Sequence, residues 1–285
     1  MGDGRWGDNV CGQTPIAHAP SLIAANMKLT FLGTGTSFGV PMLGCHCAVC
    51  RSPDPRDRRS RVGAVVESNA NTRILIDTPP ELRLQLITAG IDRVDAVLYT
   101  HDHADHIHGI DDLRAMTVRR AGPLPLYGSA ETLSSLAKKF TYIFDENFRP
   151  LPGTSKPELR AHPIEPGRAF TVGELEVLPI EIPHGAIGVL AFRIGPLAYI
   201  TDAKSVPSDA IDQLRGARVL VINALFRTEH PSHLSIPEAI GVARELGVER
   251  TYLTHLTHDN FHADLEAELP RGVAPAFDGL TVRID

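Results

Sequence analysis

No apolar run in the 285 residues reaches the ~18 needed to cross a bilayer, so a membrane-spanning role is not expected. The first 26 residues have neither the positive start nor the long apolar centre of a signal peptide. Positive charge is not in excess: the formal net charge is −6, which argues against tight nucleic-acid binding through phosphates. Only a local cluster, Arg51, Arg56, Arg58, Arg59 and Arg61, offers a basic patch. Cysteine is scarce, with four in the chain, and three of them, Cys45, Cys47 and Cys50, lie within six residues. That spacing suits metal ligands better than a disulfide framework, and a reducing, cytoplasmic setting is expected. Neither a short internal repeat nor a low-complexity tract occurs. The Gly33–Ser37 loop lacks the Lys-Ser/Thr ending and the following helix of a phosphate-binding P-loop, so its glycines are read as making a tight turn.

What is present is a large apolar share, 43%, enough for one large domain or two small ones. Residues 1–26, rich in Gly, Ala, Asn and Pro, read as a poorly ordered extension, and residues 27–285 as the working domain. Strands are expected over Lys28–Leu32, over Val62–Glu67 and Thr72–Ile76 as a hairpin, and over Val94–Thr100, Leu124–Tyr127 and Leu175–Ile182. Further strands are expected over Val189–Ile194, Leu197–Thr201, Val219–Ile222 and Thr251–Thr254. Helices are expected over Pro80–Ala89, stopped by Gly90, and over about Ile107–Arg120 and Ala130–Ile143. Another should follow Leu234, where Ser235 and Glu238 form a capping box and Gly247 ends the helix. Residues 144–168 read as a long proline-rich loop. Strands mixed with helices place the fold among α/β or α+β layers.

The chemistry concentrates in His101-Asp-His103-Ala-Asp105-His106, directly after a buried strand. Imidazole and carboxylate suit zinc, manganese or iron, and so many titratable groups in one short loop call for a counter-charge. Three other polar residues stand just beyond apolar strands: His184, Asp202 and His255. Each alone would pass as a surface or turn residue. Together with the loop they make seven ligands, more than one catalytic ion takes. Two ions about 3.5–4 Å apart would use them all, with Asp202 as the bridge because a carboxylate has two oxygens to share. His108 and His46 are left outside this set.

The run His101-x-His103-x-Asp105-His106 resembles the signature of the metallo-β-lactamase superfamily, and the likeness extends over nearly the whole chain from Met27. It implies an αββα sandwich with the metals at one edge. It further implies one ion on His101, His103 and His184, a second on Asp105, His106 and His255, and Asp202 between them. Asp77 would support the ligands from behind. A narrower resemblance rests on Leu32–Pro41 and on Gly44-Cys-His-Cys-Ala-Val-Cys50. These are similar to the branch holding the phosphoribosyl cyclic phosphodiesterase of phosphonate breakdown. There, three cysteines and a histidine three residues past the last active-site ligand bind a structural zinc; here these are Cys45, Cys47, Cys50 and His258, a closed Cys₃His set.

The resemblance implies hydrolysis of a small cyclic or nucleotide-like phosphodiester by a hydroxide that two divalent ions, zinc or manganese, activate. The leaving oxygen needs a proton, and His233, with His230 as the alternative, matches the place of the superfamily's general acid; Asp105 and Asp202 are the other proton-handling candidates. A homodimer is also what the likeness suggests. Rival readings are a thioesterase or lactonase, a tRNA 3′-end processing nuclease, and a non-hydrolytic carrier similar to pyrroloquinoline-quinone biosynthesis proteins. A zinc-ribbon module is disfavoured because a second CxxC half is absent.

Overall fold

The computed structural model describes residues 26–285, so the expected N-terminal extension falls, but for Asn26, outside the described residues. The first half supplies strands β1 (Met27–Gly33), β2 (Gly63–Ser68), β3 (Arg73–Ile76), β4 (Ala96–Leu98), β5 (Leu124–Gly128) and β6 (Leu159–Pro163). The second supplies β7 (Phe170–Val172), β8 (Leu175–His184), β9 (Ile187–Ile194), β10 (Leu197–Ile200), β11 (Val219–Asn223), β12 (Arg250–Thr254), β13 (Val273–Pro275) and β14 (Thr281–Ile284). The helices are α1 (Leu82–Thr88), α2 (Ala104–Ile107), α3 (Arg114–Thr117), α4 (Ala130–Lys139), α5 (Thr141–Phe144), α6 (Ser208–Leu214), α7 (Ile236–Leu246) and α8 (His262–Glu268).

The strands form two seven-stranded sheets, ordered β14-β1-β2-β3-β4-β5-β6 and β13-β12-β11-β10-β9-β8-β7. Alternation along each strand divides its side chains between two faces. Leu29, Phe31, Val66, Ile74, Ile76 and Leu98 point between the sheets, where they meet Phe192, Tyr199, Val219 and Val221. The opposite faces are apolar too. Val65, Leu75 and Val97 pack under Leu82, Leu86, Leu133 and Leu136 of α1 and α4. Ala198, Ile200, Leu220 and Ile222 pack under Ile211, Leu214, Ala239 and Ala243 of α6 and α7. Strands buried on both faces need near-continuous apolar sequence, and parallel pairing concentrates where helices cover them: β3 to β6 in one sheet, β10 to β13 in the other. The result is the four-layer αββα sandwich.

Capping follows the sequence closely in α7. Ser235 and Glu238 exchange both bonds of the capping box, and Gly247 turns the chain out at φ +66 while its N–H bonds the Ala243 and Arg244 carbonyls. Other expectations need correction. The helix expected over Ile107–Arg120 is three short pieces, α2, a 3-10 turn at Ile110–Leu113, and α3. The cause is Gly109, whose N–H bonds the Thr78 carbonyl and whose missing side chain leaves room for the Pro79 carbonyl. The helix expected over Ala130–Ile143 breaks at Phe140 (φ −120, ψ 52). Residues 144–168 are not all loop, because β6 pairs with β5 at the sheet edge. Its largely exposed residues carry no apolar alternation, which hid it. The arginine cluster is no coherent patch: Arg59 is buried, Arg56 pairs with Asp54 and Glu266, and Arg61 with Glu81.

Candidate metal centre

The site lies at one edge of the sandwich, at strand C-terminal ends, the usual binding edge of parallel sheets. Asp77 follows β3, the His101–His106 loop follows β4, His184 ends β8, Asp202 comes two residues after β10, and His255 follows β12. Asp77, Asp202 and His255 have φ of +62, +58 and +57. The left-handed region costs a non-glycine residue roughly 1–2 kcal/mol, and such residues cluster where surrounding bonds over-determine them. Here those bonds are visible. Asn223, buried at the end of β11, accepts from Ala203 N at 2.8 Å and donates to Ala203 O at 3.0 Å, fixing the residue after Asp202. Asp77 accepts from Thr100 N (2.9 Å), Thr100 Oγ1 (2.8 Å) and His106 Nδ1 (2.8 Å).

Donor atoms of the seven sequence-chosen residues converge. His101, His103 and His184 form one group within 4.8 Å, Asp105, His106 and His255 a second, and His101, His106 and Asp202 a third that joins them. Asp202 Oδ2 stands 3.3 Å from His106 Nε2, and its Oδ1 3.1 Å from His255 Nε2. Yet Nε2 of His101, of His106 and of His255 is buried without a hydrogen bond. Three orphaned ring nitrogens beside two carboxylates are costly in an apolar surround, and a divalent cation is what such a donor set fits. The electrostatics agree. Burial, followed by His106, lowers the pKa of His101 well below its usual value; burial also lowers those of His103 and His184, so these rings are neutral. Burial pushes the Asp105 and Asp202 carboxyls up, but the facing histidines outweigh it and hold both below the usual carboxylate range. Neutral imidazole and ionised carboxylate are the metal-binding forms. At His106 burial opposes charge, but Asp202 and Asp77 outweigh it and raise its pKa, so positive charge is favoured at this point.

The surrounding shell was only partly foreseen. Ring orientation is set from behind: His106 by Asp77, His101 by Thr100 Oγ1 at 3.0 Å, and His184 by the Ser232 carbonyl at 2.8 Å. Thr100, Asn223 and Ser232 were missed. Asn223 carried the same signal as the ligands, a polar residue closing an apolar strand. His233 Nε2 lies 3.0 Å from Asp202 Oδ1, whereas the hydrogen bonds of His230 go to Ser232 and its ring lies 5.4 Å from that of His233. His108 packs on Phe140 and His46 is exposed, both apart from the cluster. A cavity of about 620 Å³ opens beside Thr100, His101 and Asp102, lined also by Ser129, Glu131 and Glu181.

Cys45, Cys47 and Cys50 place their sulfurs 3.3, 3.3 and 3.5 Å from His258 Nδ1. Tetrahedral arms of about 2.0–2.3 Å would hold ligand atoms roughly 3.5 Å apart, so this set fits a zinc ion. The Cys50 N–H and His258 lower the Cys47 thiol to about 6, while burial pushes that of Cys50 up to about 11. His258 ties this loop to the first centre, since it lies three residues after His255.

Comparison with known proteins follows the same lines. The Beta-lactamase superfamily domain matches residues 72–256. A solved diphosphatase of the PhnP family superposes with a TM-score of 0.83 at 36% identity, covering 90% of this chain and 97% of that one. A Porphyromonas gingivalis protein named Octanoyltransferase is 42% identical over 264 residues; the match covers 91% of this chain but only 52% of that protein, so the chain spans about half its length. A Methanopyrus kandleri Ribonuclease Z is 27% identical over 288 residues, covering 81% of this chain and 94% of that one.

Proposed function

The chain belongs to the metallo-β-lactamase superfamily, in the branch of the PhnP-family diphosphatase, and from that premise we propose that it hydrolyses a small phosphodiester or diphosphate. It is a metal-dependent hydrolase. The observation that carries the finer reading is His233 against Asp202: a proton donor set beside the carboxylate that would be shared by the ions, where an alkoxide leaving group would need it. His101, His103 and His184 would hold one divalent ion, Asp105, His106 and His255 the other, with Asp202 shared. When bound, such a pair supplies Lewis acidity and a nucleophile at neutral pH.

The chain's own residues do the rest. Asp77, Thr100 and the Ser232 carbonyl fix the ligand rings before substrate arrives. Burial lowers the pKa of His233, and its hydrogen bond to Asp202 opposes that shift by favouring the protonated ring. In its imidazolium form His233 would give the Nε2 proton, which faces Asp202 Oδ1, to the departing oxygen and return to a neutral ring. The adjoining cavity has room for a small molecule, although of the ligand set only His101 lines it, beside Asp102, Glu131, Glu165 and Glu181. The net charge of −6 favours such a substrate over nucleic acid. A second reading, hydrolysis of an acyl ester, draws support from the octanoyl group in the name of the Porphyromonas gingivalis relative.

The test is a matched panel on metal-loaded protein: an aryl phosphodiester, a 2′,3′-cyclic nucleotide, a cyclic ribose phosphate, a nucleotide diphosphate, an octanoyl thioester and a lactone. Each is run with and without chelator, beside Asp105→Ala. Chelator-sensitive turnover of phosphate compounds alone is expected. Turnover of the thioester or lactone alone would replace the phosphodiesterase reading with the acyl one.

A further inference from the structure

The cavity beside the metal edge carries charge of one sign. It measures about 620 Å³, and its wall holds Asp102, Glu131, Glu165 and Glu181 but, among the described residues, no lysine or arginine. Asp102 is neutralised, because Lys139 Nζ reaches both its carboxylate and its carbonyl at 2.7 Å. Glu165 has only Arg168 at 3.7 Å, an exposed pair of little weight. Glu131 and Glu181 are exposed and have no ion-pair partner among the described residues. Glu181 is placed by the β8–β9 hairpin. Its carboxylate lies over Gly188 of the neighbouring strand, in the space that a Cβ there would take.

His101 joins this cavity to the metal centre. It is 2% exposed and forms part of the wall. Thr100 Oγ1 engages its Nδ1 at 3.0 Å, which leaves Nε2, buried without a hydrogen bond, as the end free for a ligand. Leu190 N bonds Thr100 O at 2.9 Å and fixes β9 against the same corner. A phosphoryl group drawn to the centre has this cavity for its remaining substituent. The hydroxyls there are engaged within the protein: Ser129 and Thr132 bond each other at the start of α4, and Thr100 bonds Asp77. Ile164, Ile187, Val189 and Leu190 supply apolar wall. A cleft lined by one sign of charge over apolar walls concentrates its field on the opposite charge. A carbon stem along the wall, ending in a cation at the carboxylates, suits it better than a second anion.

We propose that this cavity selects substrates whose non-reacting substituent ends in a primary ammonium group, held by Glu131 and Glu181, and disfavours anionic substituents. The assignment rests on the reading of the centre as one that hydrolyses phosphodiesters, and narrows its substrate class. An ammonium offers three donors and no acceptor, which matches carboxylates that only accept. Because both carboxylates are exposed, the preference is modest and fades with salt.

The experiment gives metal-loaded full-length protein four p-nitrophenyl phosphodiesters that share one leaving group and differ in the second substituent: 3-aminopropyl, 3-hydroxypropyl, butyl and 3-carboxypropyl. At low salt, kcat/KM should be about 5-fold or more higher for the aminopropyl ester than for the butyl ester, and lowest for the carboxypropyl ester. The gap should narrow at about 0.5 M salt. Glu131→Gln combined with Glu181→Gln should bring the aminopropyl and butyl esters together. Gly188→Ala, which pushes the Glu181 carboxylate aside, should close part of the gap, and Glu245→Gln, exposed on α7, should leave it as it is. Calorimetric binding of 3-aminopropylphosphonate against propylphosphonate reads the same preference without turnover. Equal values for the aminopropyl and butyl esters, a gap that survives the double Gln variant, or a hydroxypropyl ester as good as the aminopropyl one would overturn the assignment. A calorimetric preference with no turnover of any ester would sink the phosphodiesterase reading and leave the cavity's preference standing. Turnover of all four without preference would do the reverse.

Discussion

Replacing Asp77 by Asn should weaken metal binding through the ring proton of His106. Asp77 is fully buried, and its two oxygens accept three hydrogen bonds. In the carboxamide the nitrogen cannot face Thr100 N–H, since two donors would meet, so it must take the position of Oδ2. There Thr100 Oγ1 can rotate and accept, and little is lost. His106 cannot adapt so easily. Its Nδ1 must become an acceptor, which moves the ring proton to Nε2, the atom 3.3 Å from Asp202 and 3.5 Å from Asp105. A proton there competes directly with a cation. Loss of such an orienting partner typically weakens metal binding 10–100-fold, or about 1.4–2.7 kcal/mol. The metal-free fold should lose stability as well, because there Asp77 is the buried partner of a His106 ring at which positive charge is favoured. Competition against a chelator of known affinity measures the first quantity, and denaturant melts of metal-free protein the second. Asp77→Asn protein that holds both ions with wild-type affinity would refute the tautomer argument. A large loss of metal-free stability with metal affinity intact would show that Asp77 serves folding instead.

Two further outcomes follow from features away from that carboxylate. Cys47→Ser should lose one equivalent of metal per chain and lower Tm by about 5–10 °C, the shift for a loss of roughly 2–3 kcal/mol in a domain this size; metal analysis and calorimetry check both. His262 donates its backbone N–H to Asp57 and is faced by buried Arg59; burial first, then Arg59 and Arg56, lowers its pKa to about 4. The unfolded ring, near 6.5, binds a proton that the folded one refuses. Stability from this group is therefore full above pH 6.5 and is lost as pH falls toward 4, by up to about 3 kcal/mol. Denaturant melts across that range should show a shallower slope for His262→Gln than for wild type, and equal slopes would refute it.

Much of the site was legible because its residues break a pattern. His184, Asp202 and His255 each stand where an apolar strand gives way to a polar side chain, and β-strand direction then carries them to one edge. The four-ligand loop after β4 was legible because its histidine and carboxylate density has no other use. The pieces that escaped sequence reading act through backbone atoms or close approach. Gly109 divides a helix because the Pro79 carbonyl occupies the space of its side chain. Ser232 works partly through its carbonyl, which every residue has. β6 was hidden because an edge strand with exposed side chains need not alternate. α6 and α8 were missed because seven residues make barely two turns, too short for a periodic signal.

The pairing of β1 with β14 has a consequence for engineering. Met27 and Ile284 are direct partners across that ladder, at the start of one strand and the end of the other. A short linker could therefore join the two without crossing the molecule, and new ends could be opened in the exposed stretch before β6. The circularly permuted chain would carry each sheet in a different order of synthesis while leaving the metal edge intact. Because β14 belongs to the first sheet although it comes last in sequence, such a permutant would make the whole second sheet before the first sheet is complete. The order in which the two halves of the metal centre form could then be chosen by design.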